Sequence, residues 1–193
     1  MIIVPIDSKN DLFAVENVVG ADLITRFNSE DIDTYDYTAQ EWQEQLPRRK
    51  LLPYSGSAIE AMIQQLAQLP EQINNQLGTD FKDIDASCWY DLLGFKQHVH
   101  IDNSNVKSVL HFFIGTADLD HGTTWYQVED KDVEERNDAQ RWYLQNTNLS
   151  VRHTFDFVPN TGYIQINNKY QAHAPTTTVR DGQKRVAFYC YLL

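Results

Sequence analysis

A mainly β, α+β fold, with a helical layer packed on a jelly-roll type of β-sandwich, is what this sequence predicts. Two changes of texture along the chain predict it. Over residues 1–80, after a short apolar strand-like start, apolar residues recur at helical spacing. From residue 85 the chain breaks into short runs rich in Val, Ile, Phe, Tyr and Thr, punctuated by Gly, Asn, Asp and Pro. The length of 193 residues suits one domain, 1–193, with 1–80 as a mainly helical support region and 81–193 as the β core.

In the first part, Val18, Val19, Leu23, Ile24 and Phe27 follow a helical spacing. Ser57-Ala58-Ile59-Glu60 has the capping-box pattern, and Ile59, Met62, Ile63 and Leu66 then form one apolar stripe. Pro70 breaks or restarts that helix, and Gly78 is its stop. In the second part the predicted strands are 86–91, 95–101, 107–114, 123–128, 151–158, 162–167 and 184–192. A charged interruption, E-D-K-D-V-E-E-R-N-D-A-Q-R-W-Y-L-Q over 129–145, reads as helix or loop.

Composition narrows the partners. With 42% hydrophobic and 12% aromatic residues the chain can bury a core, so disorder is not expected. A net charge of −11 argues against a protein that grips nucleic acid, because that affinity rests on Lys and Arg contacts with phosphate. Small molecules or peptides are the expected partners. The two cysteines, Cys88 and Cys190, lie far apart in strand-like runs and suggest no disulfide framework. The N-terminal M-I-I-V-P-I-D-S-K-N has neither the charged n-region nor the apolar segment of a signal peptide, and no apolar run reaches membrane-spanning length. A soluble, cytoplasmic protein is the expectation.

The stretch H-V-H-I-D-N at 98–103 carries the chemistry. On a strand, His98, His100 and Asp102 would share one face. A His-x-Asp pair offers a nitrogen and an oxygen ligand side by side, with a third ligand to come from elsewhere. The other histidines are His111, His121, His153 and His173, and His173 stands in H-A-P shortly before the last strand. Two histidines and a carboxylate on one face of a metal leave the opposite face open, as in non-haem Fe(II) oxygenases.

Residues 86–193 resemble the catalytic core of the Fe(II)/2-oxoglutarate-dependent dioxygenases, in the prolyl-hydroxylase-like branch. The motifs that carry the resemblance occur in order: H-I-D-N (100–103), V-L-H-F-F-I-G (109–115), H-G-T (121–123), P-N-T-G-Y-I (159–164), H-A-P (173–175) and G-Q-K-R-V-A (182–187). The resemblance implies a double-stranded β-helix core, cupin-like, with flanking N-terminal helices. It implies Fe(II) held by His100, Asp102 and His173, and 2-oxoglutarate held through its far carboxylate by Arg185, with Tyr90 adding a hydroxyl contact. The implied reaction uses O₂, releases succinate and CO₂, and hydroxylates an aliphatic C–H of an amino acid, a peptidyl residue or a small metabolite. Two departures imply a differently wired carboxylate pocket: Val186-Ala187 follow the Arg where relatives often carry a Ser two residues on, and Phe113 stands where some relatives have a Tyr, with His111 on the same face.

Other readings of the same residues stay open beside it. A non-catalytic jelly-roll protein that binds a metal or ligand would keep the fold without the turnover, and an oxygenase of the nucleic-acid-repair type is disfavoured by the charge. His98 reads as an outer or surface residue rather than a ligand. His111 reads equally as a core histidine or a pocket residue, His121 as a loop residue, and His153 as packing or solvent-facing. Arg180, just before the Asp181-Gly182 turn, is the exposed competitor of Arg185. The segment Asp118–Arg141 holds eight acidic residues and three basic ones; it is either a flap that favours a neutral or cationic substrate or a solvated helix.

Overall fold

The computed structural model describes residues 1–35, 48–54, 57–102, 108–128, 142–143, 149–166 and 171–193. Twelve strands and three α-helices lie within them: β1 (Ile2–Pro5), β2 (Leu12–Glu16), α1 (Ala21–Ser29), β3 (Arg49–Leu51), α2 (Ala58–Leu66), α3 (Leu69–Leu77), β4 (Ile84–Asp91), β5 (His100–Ile101), β6 (Ser108–Phe113), β7 (Thr123–Val128), β8 (Trp142–Tyr143), β9 (Leu149–Phe155), β10 (Thr161–Ile166), β11 (Gln171–Pro175) and β12 (Arg185–Leu192). They form a large sheet in the order β1-β2-β10-β6-β12-β4-β3 and a small sheet in the order β8-β5-β11-β7-β9. Every pairing is antiparallel. From β4 to β7 and again from β9 to β12 successive strands alternate between the sheets, which is the connectivity of a double-stranded β-helix.

The pleat of the large sheet serves two interiors. Along β12, Val186, Phe188, Cys190 and Leu192 turn towards the helices, while Ala187 packs with Trp125 and Phe157 between the sheets. β6 does the same with Leu110 and Phe112 on one side and Phe113 on the other. The helix-side core is closed by Ile24 and Phe27 of α1, Ile59, Met62 and Leu66 of α2, and Leu69 and Ile73 of α3. Each such side chain removed from water contributes roughly 1.5–3 kcal/mol, which is what holds three short helices that would be marginal alone.

The N-terminal region departs from its mainly helical reading, because β1, β2 and β3 all belong to the large sheet. The run L-F-A-V-E has both faces buried, Leu12 between the sheets and Phe13 and Val15 against the helices, so it lacks the clean alternation that marks a strand. The capping box at Ser57 does not form on the serine side: Ser57 Oγ donates to the Tyr54 carbonyl, and the Ala58 N–H donates to Glu30 at the end of α1, 3.0 Å away. Pro70 sits in the first turn of α3, and Gly78 ends it in the left-handed conformation at φ 69°. Arg152 on β9 joins the sheets at one end through ion pairs with Asp7 and Asp11 in the β1–β2 connection. Among the described residues no helix is long and apolar enough to cross a membrane.

Gly162 shows how closely the central strands approach. A Cβ there would lie 2.0 Å from the His111 carbonyl oxygen, on the neighbouring strand's backbone, where nothing can swing aside. Gly162→Ala is expected to destabilise the protein by about 1–3 kcal/mol, the cost of overpacking a rigid site. Urea denaturation measures it, and an unchanged midpoint would contradict this packing.

Candidate active site

The space between the sheets holds the polar side chains that the apolar core excludes. His100 on β5 is the direct cross-strand partner of His173 on β11, with ring centroids 4.4 Å apart. Asp102, one residue past β5, places Oδ1 3.8 Å from His100 Nε2 and 3.9 Å from His173 Nε2. All three side chains are buried, and one ligand atom from each lies within 4.8 Å of the others. Their second carboxylate oxygen, Asp102 Oδ2, is buried with no hydrogen-bond donor. An anionic oxygen left that way is costly unless a cation meets it. Two imidazole nitrogens and one carboxylate oxygen suit a first-row divalent ion and leave positions for other ligands.

The surroundings orient these ligands. His100 Nδ1 lies 2.9 Å from the His98 carbonyl, which assigns the proton to Nδ1 and leaves the lone pair on Nε2. The Gln97 amide nitrogen approaches that Nε2 at 3.2 Å, so a donor already points at the lone pair a metal would take. His173 stacks on Trp125 at 4.5 Å. The side chain of His98 is exposed, because the expected strand 95–101 shrinks to His100–Ile101 and residue 98 lies before it. His98 therefore contributes its carbonyl, and its ring stands outside the group.

A basic cluster occupies one end of the same space. Arg185 is 1% exposed; its guanidinium ion-pairs with Asp91, its Nε donates to the His121 carbonyl at 2.7 Å, and a terminal nitrogen donates to the Gly122 carbonyl at 3.4 Å. Arg49 on β3 holds Asp91 from the other side, donating through a terminal nitrogen at 3.0 Å, and lies 4.4 Å over the Phe95 ring. Two arginines thus share one aspartate, and the cluster keeps one net positive charge. Burial pulls the Arg185 pKa down against the opposing pull of Asp91, yet a guanidinium stays charged at any physiological pH. Three of its five N–H donors are engaged, which leaves two.

His111, Tyr163 and Tyr189 fill the space between the cluster and the triad. The His111 ring stacks on Tyr163 at 5.0 Å, and its Nδ1 is buried without a partner. Burial, then Arg185 and Arg49, push its pKa well below the usual histidine range, so it is neutral. Burial raises the hydroxyl pKa of Tyr163 and Tyr189, with the Asp102 carboxylate adding to both, so both keep their protons.

Tyr90 is not brought here. It pairs with Val186 on the helix-facing side of the large sheet, packs in the helix-side core, and hydrogen-bonds Asp33. Its neighbour Asp91 has the inward position, because a step of one residue along a strand reverses the face. Asp91, Arg49, Tyr163 and Tyr189 were not singled out from the sequence. For Tyr189 the signal was present in its alternation with apolar residues on β12; on β4 Trp89 and Tyr90 fill both faces and hide that of Asp91, and Arg49 belongs to a three-residue strand with none.

Arg180 is half-exposed and bonds Asp118 and Asp120. The two carboxylates and the buried His121 form a second group of possible ligands, and Arg180 ion-pairs with both carboxylates, which leaves the exposed group one net negative charge. His121, expected in an open loop, is fully buried in a short 3-10 turn and lies 3.2 Å from Thr177. His153 packs edge-on against Phe155. The acidic segment from residue 129 to 141 lies outside the described residues.

Metal titration tests the triad. His100→Ala, Asp102→Ala and His173→Ala should each weaken Mn(II) binding by more than the roughly 10–100-fold that loss of an outer partner costs, and His98→Ala should leave it unchanged. Equal, severe loss in His98→Ala and His100→Ala would break the assignment.

No protein-family model matches the sequence, and no curated protein matches it either. Solved structures do match by fold. A prolyl hydroxylase from Trichoplax adhaerens, in complex with a hypoxia inducible factor oxygen degradation domain peptide fragment, aligns at TM-score 0.62 and 12% identity over 94% of this chain and 83% of its own. A Pseudomonas putida prolyl-4-hydroxylase aligns at TM-score 0.57 and 13% identity over 94% and 92%. HygX from Streptomyces hygroscopicus, with nickel, 2-oxoglutarate and hygromycin B bound, aligns at TM-score 0.55 and 11% identity over 94% and 82%. At these identities the likeness is one of fold. The chain has the double-stranded β-helix fold of the prolyl hydroxylases and other Fe/2-oxoglutarate-dependent oxygenases.

Proposed function

We propose that this protein is an Fe(II)- and 2-oxoglutarate-dependent dioxygenase that hydroxylates an aliphatic C–H of an amino acid, a peptidyl residue or a small metabolite. One observation carries the reading: a His-Asp-His group and a buried, net-positive arginine cluster share the interior of one jelly roll. With a divalent ion the triad has one net positive charge, and the Arg49–Asp91–Arg185 cluster has another. Together they complement a dianion. A dicarboxylate fits that pattern, with one end at the metal and the other at Arg185. The 2-oxoglutarate and nickel bound in HygX, a protein of the same fold, support the choice.

The residues then divide the work. His100, Asp102 and His173 would hold the iron, and the His98 carbonyl keeps the His100 ring turned for it. Arg185 would receive the far carboxylate with its two remaining N–H donors, in a charge-assisted pair. Asp91, His121 and Gly122 hold that guanidinium in place before any ligand arrives, so little order is lost on binding. Neutral His111 and the protonated Tyr163 add no charge between the two ends. The chemistry supplied by bound iron and co-substrate is oxygen activation, coupled to oxidative decarboxylation to succinate and CO₂. The chain contributes placement, charge and exclusion of water.

An oxygen-dependent succinate assay tests the reaction itself, and binding tests the assignments. By calorimetry on the Mn(II)-loaded protein, Arg185→Gln should weaken 2-oxoglutarate binding by about tenfold to a hundredfold, for loss of a charged hydrogen-bonding partner worth about 1.5–3 kcal/mol. Arg49→Gln should weaken it in the same direction, while Arg180→Gln and Tyr90→Phe should not. Loss in Arg180→Gln with Arg185→Gln unaffected would show that the wrong arginine had been chosen.

A further inference from the structure

Two buried glutamines lie beyond the triad, at the end of the interior away from Arg185. Gln171 is two residues before His173 on β11, so it shares that ligand's inward face, and it pairs across the sheet with Gln127. Gln165 is two residues after Tyr163 on β10 and pairs with the inward Leu12. The registers fix which end this is. Tyr163 and Tyr189 are level with His111, Gln165 is level with Val109 and so one step further from Arg185, and Phe113 lies on the Arg185 side. On the small sheet, Pro175 pairs with Thr123, next to the Gly122 carbonyl that bonds Arg185, and Gln171 stands at the opposite end of β11.

Both side chains are 1% exposed, and in both the amide nitrogen and the amide oxygen lack any hydrogen-bond partner. Four such atoms in one region are not tolerated without a reason, since buried polar groups are almost always satisfied. A glutamine amide presents a donor and an acceptor side by side, with no charge. Its complement is another amide.

We propose that Gln165 and Gln171 are the recognition pair for the primary substrate, and that they bind a neutral carboxamide or peptide group and so set the carbon to be oxidised beside the triad. This rests on the dioxygenase reading and adds the substrate class. The ends of the interior then discriminate by chemistry: the arginine cluster takes a carboxylate, the glutamine pair takes an uncharged amide. A substrate carrying a carboxylate or ammonium at the two amides would bury the charge against neutral dipoles and bind less well, and the neighbouring Arg152 offers a carboxylate no net positive charge because it is already paired with both Asp7 and Asp11.

The test uses the protein loaded with Mn(II) and 2-oxoglutarate, with calorimetric titration of two arms of probes. One arm is N-acetyl amino-acid amides and short capped peptides; the other is free primary amides such as asparagine and glutamine side-chain analogues. Each is matched by its free acid and its amine. Amides should bind at least tenfold tighter than their charged counterparts, and the arm that binds says whether the group is a peptide bond or a side-chain carboxamide. Gln165→Leu and Gln171→Leu should each weaken that binding tenfold or more. They should also raise the melting temperature of the free protein by a few degrees, because each removes two unsatisfied atoms. Amide binding no better than acid or amine binding overturns the proposal. So does a variant that loses thermal stability and keeps its amide affinity, since the amides would then serve the fold through buried water. Failure of Mn(II) or 2-oxoglutarate to bind the unaltered protein would instead defeat the dioxygenase reading itself, so the two failures are told apart.

Discussion

The large sheet is buried on both faces, and the rest of the molecule follows from that constraint. Strands β4, β6, β10 and β12 must present one set of residues to the helices and another to the small sheet. The helix side is apolar from Val15 through Phe112 to Leu192, apart from the Tyr90 hydroxyl, which bonds Asp33, and the buried Ser108. The side facing the small sheet is free to carry what a core cannot. Period-two alternation is therefore the device that separates stability from chemistry, residue by residue, along the same strands.

The charges obey the same division. Arg185 and Asp91 are direct partners across β12 and β4, and Arg49 reaches Asp91 from the next strand outward. Removing one member of a buried pair leaves an uncompensated charge, at a cost of about 3–5 kcal/mol, so the three are locked together. The lock is deliberately incomplete in charge, with two cations to one anion. A cluster of this kind is held rigid by its internal bonds and still attracts one more anion.

Much of this was legible in the sequence, and the losses have physical causes. The residues alone point to His100 and Asp102 and leave the third ligand open; His173 and Arg185 are what the resemblance implies, through the motifs H-A-P and G-Q-K-R-V-A. The strand that carries His173 was missed: Q-A-H-A-P has no β-branched residue and ends in proline, so its pairing with β5 and β7 comes from tertiary context rather than propensity. The resemblance implies a hydroxyl contact from Tyr90, yet its ring lies on the helix side; C-W-Y-D is buried throughout, and continuous burial hides the alternation that would show its face. Arg49 was invisible for a different reason. Its strand is three residues long, and its role exists only through Asp91, forty-two positions away.

The distribution of unsatisfied polar atoms gives the arrangement a direction. Among the described residues Asp102, His111, Trp125, Gln165 and Gln171 each bury a polar side-chain atom with no partner and sit between the sheets; His121 in its short turn and Arg152, which ties β9 to the β1–β2 connection, each bury one more. None lies on the helix-facing side. Each such atom costs roughly 1–3 kcal/mol, a sum that only a well-packed apolar core on the other face can offset. Proteins lose such groups readily when nothing requires them, because an apolar residue of similar size is more stable in their place. Their concentration around one carboxylate and two imidazoles means that the interior is built for occupants that bring their own polar atoms. The helices and the apolar half of each strand hold that interior open at the stability it sacrifices.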